Sequence, residues 1–417
     1  MRHPFSFAAG VVAFALALPS HPVPALPEAR AAQQGSVPRG VDAGDYVYVS
    51  GQGSRRADGT IPEKFTDQVR QALDNVRNVV EAAGLTLDHV VYLQVYLEDT
   101  HRSGELDEVF ANYFPKTPPA RAVLGVAKLP QPGVQITAIA VRDLKGKEPV
   151  SVPGFAASKA YSQGMLTYDQ LFVSMMPGRD SKTGIVPREP ASQVNLALDG
   201  MKSVVEAAGL HMANMVFVNP YLTAEFPSQV MNVEYAKRFE FGNTPGRATI
   251  EVSSLPDGVH IAYTGVAVRD LTKRLAVRPK NMPPSPTASP CVFAGDILYC
   301  SAKSGFIPGP NGGIFAESTS DQTRQTMRNL LDNLEEAGMN FDQVVYTTVY
   351  LDDLSEDPMF YKVFKKYFSG SLPAQTTVQQ LPPGDRKANG EGQFPTLEQM
   401  SLIAVRARPG AKPRSLP

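Results

Sequence analysis

The chain has 417 residues, enough for about three domains of ordinary size. Its apolar fraction of 43% and charged fraction of 19% are those of a soluble globular protein that can bury its own cores. A formal net charge of −1, with no long Lys/Arg run, argues against a general nucleic-acid or anionic-membrane binder.

The chain opens like an export signal. Arg2 and His3 precede an apolar run from Phe5 to Leu18, too short for a comfortable membrane span. Small residues stand at the −3 and −1 positions in Val23-Pro24-Ala25 and again in Ala29-Arg30-Ala31. Residues 1–31 are expected to be a signal peptide cut near 25 or 31, giving a periplasmic or secreted protein; an uncleaved anchor is the alternative.

A turn and an alternating strand follow over Ala43–Gly53, ending in Ser50-Gly51-Gln52. Thr66–Leu85 predicts an amphipathic helix with Val69, Leu73, Val76, Val79, Val80 and Ala83 on one stripe. Thr66 or Asp67 suits its start and Gly84 its end. His89–Asp99 predicts a strand, and Ser103–Phe114 a shorter helix stopped by Pro115. Two strands around a Leu-Pro turn complete the unit over Thr117–Asp143, the first opening at Arg121.

The same order returns twice. The second unit has a strand at Tyr168–Ser174, helices at Ser192–Leu210 and Ser228–Phe239, a strand between them at Asn214–Leu222, and a closing pair over Thr244–Asp270. The third has Gly295–Ser301, Ser320–Met339, Gln343–Asp353 and Met359–Phe368, then an eroded closing pair over Leu372–Ala407. Arg121 becomes Arg247 and then Gln375 at nearly constant spacing, so the chain is an array of similar domains. The units are 36–143, 153–270 and a degenerate 285–407, each of α+β pattern. Lys145–Pro153 and Leu275–Pro290 read as linkers, and Arg386–Phe394 as a polar insertion.

Cys291 and Cys300 are the two cysteines of the chain. A two-residue hairpin turn at Gly295-Asp296 sets them opposite each other. A disulfide, which export permits, and two small core residues both fit that placement.

Arg121 and Arg247 each follow a turn and enter a strand. A planar guanidinium fork suits a small carboxylate, although an ion pair at the surface or between domains fits as well. Ser50, Ser174 and Ser301 stand at strand ends and can offer hydrogen bonds, but no histidine accompanies them to activate a nucleophile. Asp107 reads first as a solvated helix residue. The six histidines have no paired spacing, and neither a Cys-x-x-Cys nor a Gly-rich phosphate loop occurs. No metal or cofactor is expected, and the lack of a basic, aromatic-interleaved patch argues against RNA.

These motifs, in this order, resemble the RidA family, also called YjgF/YER057c/UK114. The matching residues are Ser50–Gln52, Gln68 and Asn75, Ala83-Gly84, and Pro119-Ala120-Arg121 before the Leu-Pro turn. In the second unit they are Tyr161–Gly164, Ser174, Asn232 and Arg247. The resemblance implies chorismate-mutase-like domains and ligand clefts between trimer subunits. Three tandem domains then imply an intrachain pseudo-trimer that works as a monomer. It further implies hydrolysis of 2-imino acids to 2-keto acids and ammonia, with arginine on the substrate carboxylate. Carried over by position, it names Arg121 and Arg247 as catalytic residues. Ser50, Gly51, Tyr161, Ser174, Asn232, Asp107 in the place of an Asn, and Gln135 become substrate-binding residues.

Departures are marked. Val37 stands where the second unit has Tyr161, while Gln375 and Tyr361 replace the Arg and Asn of the third unit. The family's Glu is replaced by Gln135, Ala262 and Gln399, with His260 two residues nearer the turn in the second unit. The expected partner is a small imino or keto acid, with no nucleic acid and no membrane after signal cleavage. The missing Glu, together with export, keeps open a non-catalytic small-molecule or protein-binding scaffold. Two facings are open. Arg121 meets Tyr161 and Ser174 in one; in the other, Arg247 and Asn232 meet Ser50 and Gly51.

Overall fold

The computed structural model describes residues 37–309, 313–406 and 413–417, so the expected signal peptide lies outside the described residues. No helix among the described residues is long and apolar enough to cross a membrane.

Repeat 1 runs β1 (Gly40–Asp42), β2 (Tyr46–Gln52), α1 (Phe65–Ala82), β3 (Val90–Leu97), α2 (Ser103–Tyr113), β4 (Ala120–Gly125) and β5 (Val134–Val141). After β6 (Glu148–Val150), repeat 2 has β7 (Gly164–Leu166), β8 (Gln170–Pro177), α3 (Pro190–Ala207), β9 (Met215–Thr223) and α4 (Ser228–Ala236). It closes with β10 (Gly246–Arg247), β11 (Ile250–Val252) and β12 (Ile261–Val268). After β13 (Arg274–Val277), repeat 3 has β14 (Cys291–Ala294), β15 (Ile297–Ser304), α5 (Thr319–Glu336), β16 (Val344–Leu351) and α6 (Asp357–Phe364). It ends with β17 (Ala374–Gln379), β18 (Glu398–Val405) and β19 (Arg414–Leu416).

Three mixed sheets result, in the orders β19-β1-β2-β5-β3-β4, β6-β7-β8-β12-β9-β10 with β11 also on β9, and β13-β14-β15-β18-β16-β17. The two segments that read as linkers are therefore partly strands. One edge strand of each sheet comes from the tail of another repeat: β6 extends the second sheet, β13 the third, and β19 pairs with β1 of the first. Short edge strands of mixed polarity carry too weak an alternation to be seen in sequence.

The α1 stripe packs as its spacing requires. Val69, Leu73, Val76, Val79 and Val80 are buried against sheet residues such as Val49, Val95 and Ile136. The helix start differs from expectation. Lys64 occupies the N-cap without a side-chain bond, and Asp67 instead pairs with Arg70 inside the first turn. Gly84 ends the helix at φ +75°, a conformation that favours glycine.

Each repeat has its own core between sheet and helices. A further core forms where the opposite faces of all three sheets meet, with Tyr48, Leu124, Phe172, Tyr221, Tyr299 and Tyr350 among its members. At its centre Tyr96, Tyr221 and Tyr350, one from each repeat, surround the single Gln94. Its amide oxygen accepts from Tyr221 at 3.2 Å, and its amide nitrogen donates to Tyr350 at 3.3 Å and to Tyr96.

Candidate functional site: two arginine junctions

The sheets are joined by one motif used three times. A β-bulge in β2, β8 and β15 carries the serine of the first hairpin toward the neighbouring repeat. Ser174 Oγ accepts the Arg121 N–H at 2.8 Å, Ser301 Oγ accepts the Arg247 N–H at 2.8 Å, and Ser50 Oγ accepts the Gln375 N–H at 3.0 Å. Each hydroxyl donates back within its own repeat, to the carbonyls of Ser162, Ser289 and Pro38. The three serine protons are thus committed to backbone, and the serines clasp repeats together. Ser162 and Ser289 each donate twice more, from hydroxyl and N–H, to the carbonyls just before the neighbouring repeat's arginine strand. Pro38, at the equivalent position, has neither an N–H nor a hydroxyl to offer, so the clasp of the third junction lacks these two bonds.

The arrangement matches the first of the two facings drawn from sequence. Arg121, Asp107, Tyr161 and Ser174 come together between repeats 1 and 2. Arg121 has only 5% of its side chain exposed and donates to Asp107 at 2.5 Å. Its guanidinium lies over Phe110 at 4.8 Å and over Tyr161 at 5.0 Å. Its Nη1 is buried with no hydrogen-bond partner.

Arg247 and Asn232 come together between repeats 2 and 3. Arg247 is half-buried and donates to the Asn232 side-chain oxygen at 2.8 Å. Its guanidinium lies 5.2 Å over the ring of Tyr235. No carboxylate pairs with it among the described residues. Burial pulls its pKa down, yet a guanidinium stays protonated at neutral pH. Tyr235 stacks on Tyr263, and both hydroxyls are buried without partners.

Ser50, Gly51 and Gln135 lie with Gln375 between repeats 3 and 1. A side chain on Gly51 would collide with the Gln135 amide. Gln375 spends its side chain on Thr347 at 3.3 Å. The register sets Gln135, Ala262 and Gln399 opposite Tyr96, Tyr221 and Tyr350, so Ala262 is the second repeat's residue at the acid position. His260 is occupied by Thr223 and Glu225.

Sequence reasoning missed the rings beneath the arginines. Phe110 lies three residues after Asp107 and Tyr235 three after Asn232, so each pair shares a helix face toward the strand. That spacing was the available signal. Cavities also lie elsewhere, among them one of about 80 Å³ at the central Gln94 and one of about 490 Å³ at the hairpin turns of all three repeats.

The same domain is visible by comparison. Residues 28–142, 153–268 and 281–384 each match the family model described as Endoribonuclease L-PSP. A "RutC family protein" of Pyrococcus horikoshii is 32% identical over 112 residues, 26% of this chain and 89% of the relative. A "2-iminobutanoate/2-iminopropanoate deaminase" of Escherichia coli is 37% identical over 109 residues, 25% of this chain and 85% of the relative. A solved chorismatase covers 76% of this chain and 93% of itself at 12% identity and a TM-score of 0.50, a likeness of fold alone. This chain belongs to the RidA family and carries its domain three times in tandem.

Proposed function

We propose that this chain is an exported, monomeric member of the family whose repeats close into an intrachain pseudo-trimer and bind a small 2-keto or 2-imino carboxylate at an inter-repeat junction. The observation that carries the reading is Arg247, a half-buried cation that meets a neutral amide and no carboxylate among the described residues. A cation desolvated without a counter-charge is costly, and a small carboxylate taking its fork in two charge-assisted bonds offsets that cost. Support for the ring comes from the cyclic order of the serine clasps, 1 to 2, 2 to 3 and 3 to 1.

The relative named as an imine deaminase makes imine hydrolysis the activity to test. Water adds its oxygen to the imine carbon, the nitrogen gains protons and leaves as ammonia, and a keto group remains. Arg247 would orient the carboxylate. No acid stands at Gln135, Ala262 or Gln399, so proton transfer falls to water or backbone groups. That same feature favours the second reading, a binding protein without turnover.

Freshly generated 2-iminopropanoate separates the two. Pyruvate and ammonia released faster than the spontaneous rate, with the gain lost in Arg247→Ala, supports the deaminase. Pyruvate binding without acceleration supports the second reading, and neither result sinks both. A stable trimer of chains by light scattering would count against the monomer, and a mature N-terminus not close to residue 26 or 32 against the signal peptide.

A further inference from the structure

We infer that Asp107 is a built-in carboxylate that fills the Arg121 junction, leaving Arg247 as the one carboxylate site of the chain. The inference rests on the carboxylate-binding reading above and decides which junction serves it. The two arginines are equivalent in the fold. Each enters its strand just after a turn, each gives its N–H to a serine, and each lies over an aromatic ring of the preceding helix. They differ in charge at the helix position that meets the guanidinium fork. Asn232 gives Arg247 an amide oxygen, whereas Asp107 gives Arg121 a full negative charge at 2.5 Å.

Three consequences follow for an incoming carboxylate at Arg121. One guanidinium edge is already taken. The ligand would sit beside the charge of Asp107, and like charges so close oppose each other. The guanidinium is also covered on a second side by Tyr161, with 5% of the side chain left exposed. Position 161 is occupied in sequence by Ala288 in the Arg247 junction, counting back from Ser301 as Tyr161 counts back from Ser174, so no ring closes that side. Arg121 Nη1 keeps a buried, unused donor. The junction thus retains part of the binding machinery and lacks the net charge to use it on an anion.

The substitution that tests this is a gain of binding. Asp107→Asn converts the first junction to the polar pattern of the second. Calorimetric titration with pyruvate is expected to give one site per wild-type chain, none in Arg247→Ala, two in Asp107→Asn, and one in the double variant Asp107→Asn/Arg247→Ala. Loss of the charge-assisted pair in Arg247→Ala corresponds to a drop of about tenfold or more in affinity. Circular dichroism and thermal unfolding verify that each variant is folded; Asp107→Ser replaces Asp107→Asn if the latter is not. Two sites in the wild type, or binding that survives Arg247→Ala and is lost in Arg121→Ala, overturns the inference while the carboxylate reading stands. One wild-type site that Asp107→Asn leaves at one also overturns it. No heat in any variant removes the carboxylate reading itself, and the inference with it.

Discussion

The junction of repeats 1 and 2 and the junction of repeats 2 and 3 are built alike and charged differently. Both use a serine hydroxyl on an arginine N–H and an aromatic ring under the guanidinium. One closes its cation with Asp107, and the other leaves it against Asn232. The backbone clasp depends on the bulge and the strand, which every repeat must keep in order to pack. The side chain facing the guanidinium lies outside that requirement. A tandem chain can therefore change the charge of one junction without disturbing the interface that forms it, which identical subunits of a homotrimer cannot do.

The same freedom shows more strongly inside repeat 3. Ala72 and Ala197 of the long helices become Thr326, Val79 and Val204 become Asn333, and Val134 and Ile261 of the last strand become Glu398. Asn333 has both amide atoms buried without partners, and Glu398 shares one oxygen with Thr326 while the other has none. Burial pushes the Glu398 carboxyl from its ordinary 4.5 to about 8. Between those values the folded chain holds a proton that the unfolded chain has released. Stability is therefore fullest below the window and falls as pH rises through it, by at most about 1.4 kcal/mol per pH unit. This is the largest expected effect. The urea midpoint should fall between about pH 5 and pH 8 by the equivalent of about 2–4 kcal/mol, and Glu398→Gln should flatten that decline. Parallel profiles for wild type and variant would assign the slope to another group.

Next in size is the contrast between the arginines themselves. Arg121 fills the space between Phe110 and Tyr161, so Arg121→Ala should lower stability by about 1–3 kcal/mol, chiefly through lost ring contacts. The ion pair adds little, because Asp107 is 41% exposed and screened by solvent. Arg247→Ala should cost less than about 1 kcal/mol, since desolvation already opposes its charge. Equal losses in a denaturant titration would erase the distinction between a structural and a binding arginine.

The repeats, the element order and the arginine strands were legible in sequence because they rest on periodicity and turn chemistry. The Val69–Val80 stripe and the glycine at 84 depend only on local spacing. What stayed hidden depends on long-range pairing. Strands β6, β13 and β19 exist only because another repeat offers an edge. The Asp107–Arg121 pair is formed by a helix and a strand whose approach no spacing rule fixes. Glu398 stands next to Gln399 in sequence, and only the register shows that it points at α5. The serines were seen as possible ligand donors, and their protons turn out to be held by carbonyls.

The disulfide is a smaller test of the same contrast. Repeat 1 pairs Gly40 with Val49 and repeat 2 pairs Gly164 with Val173, whereas repeat 3 pairs Cys291 with Cys300, and the structure bonds them. The staple lies in the repeat whose core carries the buried polar groups. The closed loop is short, so Cys291→Gly with Cys300→Val should cost about 2 kcal/mol in thermal unfolding. Two free thiols by mass spectrometry after non-reducing alkylation would remove the staple from the account.

The smallest effect is expected where the third junction replaces arginine with Gln375. Its N–H bond to Ser50 belongs to the backbone and survives any side chain that keeps the strand. Its amide makes one long bond, 3.3 Å to Thr347, which is neutral at both ends. Removing such a bond costs about 0.5–1.5 kcal/mol at most when the partner can turn elsewhere, as a threonine hydroxyl can. The side chain carries no charge to attract an anion, and the adjoining Gly51 and Gln135 carry none either. Gln375→Ala should therefore leave pyruvate stoichiometry and affinity unchanged by calorimetry, with a midpoint shift near the limit of measurement. A lost site would show that a neutral amide junction binds the ligand. Charge at the arginine would then no longer separate the junctions, and the contrast between Arg121 and Arg247 would need another basis.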